Sequence, residues 1–318
     1  MTRKVISGSI ALLFLLTLMS APVSGASVSG NGLKVSPVRT DLTLNPGKSA
    51  TVTIDITNIT KTNATFEAVI NNFEANGTSG TPTLITAASP YSIQKFISPI
   101  PNVTVGPGKS QAVNVNIHIP VDTSGGGYFG AVRFIAVSPS SGKTLNIAAS
   151  VASLILIRVN GPQLNDQLGL TGFSVSQNGN PGGFFFSGSN LVATAIFTNT
   201  GNVQTEPFGK INVDNTSGKQ IMTASINNVN PPGNVLPASS RAFSVPLKHI
   251  GSFGKYTVYG NFGYGSKGQL LSGKTTFYVV APWIIVLAAI ILVFLISLIW
   301  LLPKFFRYWY RRSIRKIR

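Results

Sequence analysis

The stretch Trp283–Leu302, WIIVLAAIILVFLISLIWLL, runs for twenty residues with no charge and no glycine, and a proline stands on each side of it (Pro282, Pro303). As a helix rising 1.5 Å per residue it would be about 30 Å long, the thickness of a bilayer's hydrocarbon core. Seven basic residues and no acidic one follow within 304–318: Lys304, Arg307, Arg311, Arg312, Arg315, Lys316 and Arg318. The flank before the run carries few charges. An excess of Lys and Arg marks the cytoplasmic side, so the sequence predicts a single transmembrane helix over 282–303 and a basic cytoplasmic tail over 304–318. Trp283 and Trp300 fall near the two interfaces and are the expected membrane anchors, while Phe305, Phe306, Tyr308 and Trp309 suit an inner aromatic belt. Everything before Pro282 is then extracytoplasmic.

The other end of the chain agrees with that sidedness. Arg3 and Lys4 precede the apolar run Val5–Leu18, which is short for a span, and small residues follow at 21–26. This reads as a signal peptide over 1–25. Residues 26–32 (ASVSGNG) read as a flexible start. The chain has no cysteine, so neither a disulfide nor a thiolate metal site is available to it.

A net charge of +17 raises the question of nucleic acid. The tail and the two basic residues near the start supply nine of those charges. The remaining basic residues are scattered, with no cluster and no interleaved aromatics, so no nucleic-acid partner is expected. A mildly basic ectodomain facing an anionic envelope accounts for them.

Between the apolar runs the dominant period is two. In Ala50–Thr57, Val52, Ile54 and Ile56 share one face. In Ala112–Ile119, Val113, Val115, Ile117 and Ile119 do the same. Each run follows the phrase Pro-Gly-Lys-Ser (Pro46–Ser49, Pro107–Ser110), which reads as repeated hairpin chemistry. Leu33–Leu44 alternates around Pro37, as an edge strand would. Phe66–Ile70, Tyr91–Ile97, Tyr128–Val137 and Leu145–Val159 complete about seven strands, the spacing of a β-sandwich. The phrase Asn160-Gly-Pro-Gln163 is a plausible boundary, and a second series of strands runs from Leu191 to Val280. The expected fold is all-β: an Ig-like β-sandwich over 33–162, a second over 163–281, then the helix.

Two nucleotide-binding patterns occur without the context they need. Gly268–Thr275 fits G-x-x-x-x-G-K-[ST], but the residues after it read as a strand, not the helix whose N-terminus holds phosphate. Gly125–Gly130 fits G-x-G-x-x-G and is likewise followed by β-sequence. No nucleotide or other cofactor is expected. His118 lies on a polar strand face and His249 in a loop. The eight acids form no close pair, and no His/Asp/Glu group has metal-ligand spacing. No catalytic residue and no metal site are assigned, and no enzymatic activity is expected. Asn-x-Ser/Thr triplets at Asn58, Asn63, Asn76, Asn102 and Asn215 are what a chain rich in Asn and Thr contains by chance. Tyr128 and Phe129, after a triple glycine, are candidate recognition aromatics. Phe184–Phe186 follow Pro181-Gly-Gly, and both groups also fit strand starts that fill a core.

Several phrases taken together carry a resemblance. They are Val121-Asp-Thr-Ser-Gly-Gly-Gly-Tyr-Phe-Gly130, Phe197-Thr-Asn-Thr-Gly-Asn-Val203, Val235-Leu-Pro-Ala-Ser-Ser-Arg-Ala-Phe243 and Gly254-Lys-Tyr-Thr-Val258, with Pro-Trp opening the terminal helix. The chain resembles the WxL-interacting class of bacterial cell-surface proteins. That resemblance implies a first Ig-like domain directed at peptidoglycan, a second directed at a WxL-type partner, and a helix in the bacterial envelope. The expected function is a cell-surface binding or adhesion protein, single-pass in the cell membrane, which presents its Ig-like domains to cell-wall polymer or a surface protein. The alternative is an accessory subunit of an envelope assembly or secretion complex.

Overall fold

The computed structural model describes residues 28–30, 32–137 and 150–314. The expected signal peptide, residues 145–149 of one expected strand, and Arg315, Lys316 and Arg318 of the tail lie outside the described residues.

The chain forms two β-sandwiches in series and one C-terminal helix. The period-two face seen in sequence becomes the core of the first sandwich. Val52, Ile54 and Ile56 are buried against Val113, Val115 and Ile117. Each fully buried aliphatic side chain of this kind contributes about 1.5–3 kcal/mol of transfer free energy. The outward face of the same strand pair, Ser49–Asn58 with Ser110–His118, is a ladder of hydroxyl and amide contacts. Thr51 donates to Asn116, Thr53 donates to Asn114, and Ser49 Oγ lies 2.9 Å from His118 Nδ1. His118 is thus a member of a polar surface ladder.

Both sandwiches have the same topology. In the first, Leu33–Ser36, Ser49–Asn58 and Ser110–His118 form one sheet. Arg39–Leu44, Ser150–Val159, Gly126–Val137, Ala64–Ala75 and Pro82–Ile85 form the other in that order. In the second, Leu168–Gln177, Leu191–Asn199 and Ser240–Pro246 answer the first sheet. Phe184–Phe185, Gln269–Val280, Phe253–Tyr264, Phe208–Asp214 and Gln220–Ile226 answer the second. In each domain the opening segment starts in one sheet and then crosses to the other, where it pairs parallel to the domain's last strand.

That crossing revises the expected single edge strand over Leu33–Leu44, which divides around Pro37 because proline cannot donate to a ladder. The two Pro-Gly-Lys-Ser phrases are not hairpin turns. They sit at opposite ends of one antiparallel strand pair, and each closes its neighbour's end. Gly47 N donates to Ile119 O and Ile119 N to Lys48 O. Gly108 N donates to Asn58 O and Asn58 N to Lys109 O. Gly47 and Gly108 both have positive φ, which these reversals require. Tyr91–Ile97, expected as a strand, holds a 3-10 turn over Gln94–Phe96 that drops Phe96 into the core. Within the expected flexible start, Val28–Gly30 pairs antiparallel with Leu33–Val35.

The helix runs from Pro282 to Ile314 with Pro303 inside it, so it continues past the boundary expected at 303. Proline removes one hydrogen bond and crowds the carbonyl four residues earlier, a local loss that does not end a helix of this length. Its apolar part, Pro282–Arg307, is long enough to cross a membrane, and its side chains are not covered by the sandwiches.

Candidate functional site

The two sandwiches meet along a junction built from sequence features that first suggest loops. The turn after Leu191–Asn199 carries Asn202, whose Nδ2 donates to Gly125 O (3.1 Å) and Gln163 O (2.8 Å). Its Oδ1 accepts from Asn165 N (2.8 Å). Gly127 N donates to Asn202 O at 2.7 Å. The triple glycine at 125–127 lets the second domain's backbone come this close. A Cβ on Gly127 would lie 3.0 Å from Val203 Cα, and one on Gly126 would lie 3.3 Å from Asn202 O, while Gly125 packs on Gly161 at the end of its own domain.

The aromatics after those glycines have packing partners. Phe129 is buried, with Phe73 at 5.1 Å and Tyr91 stacked at 5.4 Å, in an apolar cluster that includes Leu156 and the second domain's Leu236. Tyr128 is half-buried, edge-on to Phe96 at 5.0 Å, and donates from its hydroxyl to Ser124 O. Burial raises its phenol above the usual range. Of the Pro-Gly-Gly aromatics, Phe185 is buried, while Phe184 and Phe186 are exposed. Trp283 and Trp300 are exposed on the helix, about 26 Å apart along its axis, and Lys304 Nζ lies 4.8 Å from the Trp300 ring centroid. Arg307 lies a turn further on. Arg311 and Arg312 are in the last helical turns. Gly268 ends a turn and Gln269–Val280 follows as a strand, so no helix N-terminus faces the Walker-like phrase. Among the described residues no three His, Cys, Asp or Glu side chains gather as metal ligands.

Among the described residues, oppositely charged side chains pair only at the junction. Arg39 is ion-paired to Asp41 (2.6 Å) and, across the domains, to Glu206 (2.9 Å), and it donates to Pro232 O (2.7 Å). Arg158 reaches Asp166 (3.2 Å) and Ser266 (3.3 Å), and Thr205 Oγ1 donates to Asp166 Oδ1 (2.6 Å). Burial raises the Glu206 carboxyl above its ordinary value. Arg39 pulls it back, and Asp41 pushes it up again. The ion-pair geometry alone would imply a lowered value, so desolvation outweighs the pair here.

Beside this network lies a cleft of about 200 Å³ between the domains, with Phe73, Leu154, Leu156, Val229 and Leu236 on its apolar walls and Arg39 and Arg241 at its polar end. Arg241 is wedged between two glycines. A Cβ on Gly80 or on Gly233 would meet its guanidinium group. It donates to Asn234 O (2.9 Å) and lies over Phe243 at 5.3 Å. Burial, then the neighbouring Arg39, hold its pKa below the usual arginine value. Among the described residues no carboxylate lies within ion-pair distance of it. The cross-domain pairing does not stand out in sequence: Glu206 is 167 positions from Arg39, and Arg241 has no charged neighbour along its strand, although Asp41 is two residues from Arg39 and Asp166 eight from Arg158.

The fold and site define a class: a tandem Ig-like β-sandwich pair with a charged, apolar-walled cleft at the domain junction and a terminal apolar helix. No family model matches the sequence, and no curated protein matches it. Among solved structures the chain is similar to a chaperone–tip adhesin complex of CFA/I fimbriae biogenesis (16% identity, 76% of this chain and 98% of that one, TM-score 0.39). It is also similar to the class 5 fimbriae chaperone CfaA (14%, 77% and 98%, TM-score 0.37). A third is the CsuC–CsuE chaperone–tip adhesion subunit pre-assembly complex of Acinetobacter baumannii (12%, 75% and 96%, TM-score 0.33). The fold assignment stands on the strand order of the two sandwiches.

Proposed function

We propose that this chain is a non-enzymatic, membrane-anchored binding protein of the cell envelope, single-pass, with both sandwiches outside and the basic tail in the cytoplasm. Its interdomain cleft receives a partner protein's segment that carries a carboxylate. The observation behind this reading is Arg241: a half-buried guanidinium with no carboxylate partner among the described residues, at the end of an apolar cleft. A desolvated guanidinium forms strong bidentate bonds with a carboxylate, and apolar walls supply the rest of a recognition pocket. A surface protein that presents such a segment, WxL-type or other, fits this chemistry. The same cleft would serve an accessory subunit of an envelope assembly.

The test places a photo-crosslinking residue at Val229, on the cleft wall, and another at Thr53, on the outward face of the first sandwich, in the full chain on intact cells. The expected result is a discrete crosslinked protein from position 229 only, lost when Arg241→Gln is added. Identical products from both positions, or indifference to Arg241→Gln, would reject the cleft.

A further inference from the structure

The membrane-proximal end of the second sandwich carries aromatic side chains that are exposed among the described residues. Phe184 and Phe186 meet edge-to-face at 5.3 Å, and each exposes more than half of its surface. Phe253 is 65% exposed and Tyr278 47%. A soluble domain rarely gathers so many exposed rings at one end.

Their position is fixed by the strand ladder. Phe184 pairs with Tyr278, and Phe253 pairs with Val280. Val280 is the last residue of its strand, and the helix begins at Pro282. Ala281 between them is buried and donates to Ser252 O at 2.8 Å, while Ile284 N already bonds back to Ala281 O. Strand thus passes into helix with no linker. Residues paired across a ladder are about 5 Å apart, and a step along the strand adds about 3.4 Å. Phe253 therefore lies within about 15 Å of the helix start. The headgroup layer on each side of a bilayer is some 5–8 Å thick.

Exposed cations share this end. Lys255 stands opposite Tyr278, and Thr216 bonds to its backbone, which brings the turn with Lys219 alongside. Lys248 is exposed on the loop that leads to Ser252. The nearest acid, Asp214, is half-buried. Aromatic rings with lysines around them are the composition of surfaces that sit in the headgroup region.

We propose that this end of the second sandwich is a lipid-docking surface. Phe184, Phe186, Phe253 and Tyr278 insert into the interface of the leaflet that the helix enters, and the lysines face its phosphates. The sandwich is seated on the membrane, not tethered above it. Gly265–Gly268, the other end of the same hairpin, is about 40 Å away along twelve-residue strands and carries the contact with the first domain. The seat thereby sets the direction in which the junction cleft points.

This proposal rests on the reading that the helix spans a membrane, and one experiment separates the two. The chain contains no cysteine, so single cysteines can carry a nitroxide in the full protein reconstituted in vesicles of phosphatidylethanolamine and phosphatidylglycerol. Ser252→Cys reports the seat, Ile291→Cys the helix centre and Ser266→Cys the far end. Relative accessibility to oxygen and to a water-soluble nickel chelate gives depth. The expected result is a deep label at 291, an aqueous one at 266 and protection from nickel at 252. Adding Phe184→Ser, Phe186→Ser and Phe253→Ser should abolish the protection at 252 and leave 291 deep. A label at 252 as exposed as that at 266, with 291 deep, overturns the seat and leaves the anchor standing. An aqueous label at 291 overturns both.

Discussion

Asn58 and Asn199 occupy the same place in the two sandwiches. Each ends the strand central to its sheet and is fully buried. Each donates through Nδ2 to the carbonyl four residues ahead, Thr62 O at 2.7 Å and Val203 O at 2.7 Å. The second Nδ2 hydrogen bond goes to Val105 O (2.8 Å) or Val235 O (2.9 Å), and each of those residues stands five before the next strand of its sheet. Oδ1 accepts from the backbone two residues on, Thr60 N or Gly201 N. One buried amide therefore closes the same corner in both domains.

Replacing either asparagine by alanine should be among the most destabilising changes in its own sandwich. Two carbonyls would each lose a donor and one backbone N–H its acceptor. Thr62 O, Val203 O and Val235 O keep a second donor in Thr60 Oγ1, Thr205 Oγ1 and Thr205 N, so the cost of about 1–3 kcal/mol for an unsatisfied group falls mainly on the N–H. Hydrogen exchange of the full chain should show faster exchange confined to residues 49–118 in Asn58→Ala and to 191–246 in Asn199→Ala. Uniform acceleration in both domains would mean that the corner is not a local lock. The same burial excludes Asn58 as a glycan acceptor in the folded chain.

Most of this fold was legible because period-two alternation reports burial directly. Val52, Ile54, Ile56 and the run to Ile119 lie where the alternation placed them. The crossing at Pro37 was not legible, because a sequence shows that a strand is interrupted but not which sheet receives the second half. The equivalence of Asn58 and Asn199 has only a faint signal, Thr-Asn followed by Thr or Gly at the end of an alternating run, easily lost among the chain's many asparagines. The cleft had no signal. Arg39, Glu206 and Arg241 become a site only when two domains dock, and docking depends on backbone approach at Gly126 and Gly127, which sequence reads as part of a turn. Phe184–Phe186 stand out in the sequence as a group, but the exposure of Phe184 and Phe186 beside a buried Phe185 follows from a parallel pairing that periodicity cannot reveal.

Gly127 should tolerate no larger residue without loosening the junction. Its Cβ would lie 3.0 Å from Val203 Cα and 3.1 Å from Gln204 N, both backbone atoms of the other domain. Gly127→Val should leave each sandwich folded, because the strand conformation suits valine. It should disrupt the Gly127 N–Asn202 O hydrogen bond. A spin-label distance between the two domains, narrow in the native chain, should broaden in this variant. A distribution as narrow as the native one would show that the junction does not depend on this approach.

Asp166 holds two partners from different segments, Arg158 and Thr205, and its side chain is 9% exposed. Asp166→Ala leaves Arg158 in a mostly buried position without its counterion, a change worth about 3–5 kcal/mol when a buried pair loses one member. The partial exposure of Arg158 moves the expected cost to the low end of that range. The urea midpoint of the full chain should fall accordingly, and Asp166→Asn should recover part of the loss by keeping an acceptor for Thr205. If Asp166→Ala and Asp166→Asn are equally and only slightly destabilised, the pair is not supporting the junction.

Glu206 should give stability an unusual pH dependence. Its folded pKa lies above the ordinary value, chiefly through burial, with Arg39 opposing and Asp41 adding to the rise. A carboxyl whose folded pKa is raised favours the folded state while it is protonated. That contribution is fully present below the ordinary value of about 4.3 and is lost as pH rises through the folded pKa. Glu206→Gln, which keeps an acceptor for Arg39 and carries no charge, should therefore be at least as stable as the native chain at pH 7. The advantage should shrink as pH falls toward 4, where the native carboxyl is protonated too. Urea midpoints measured at the two pH values check this. A glutamine variant that is clearly less stable at pH 7, with the deficit vanishing at pH 4, would show that the Arg39 ion pair outweighs burial and that the junction is held by charge.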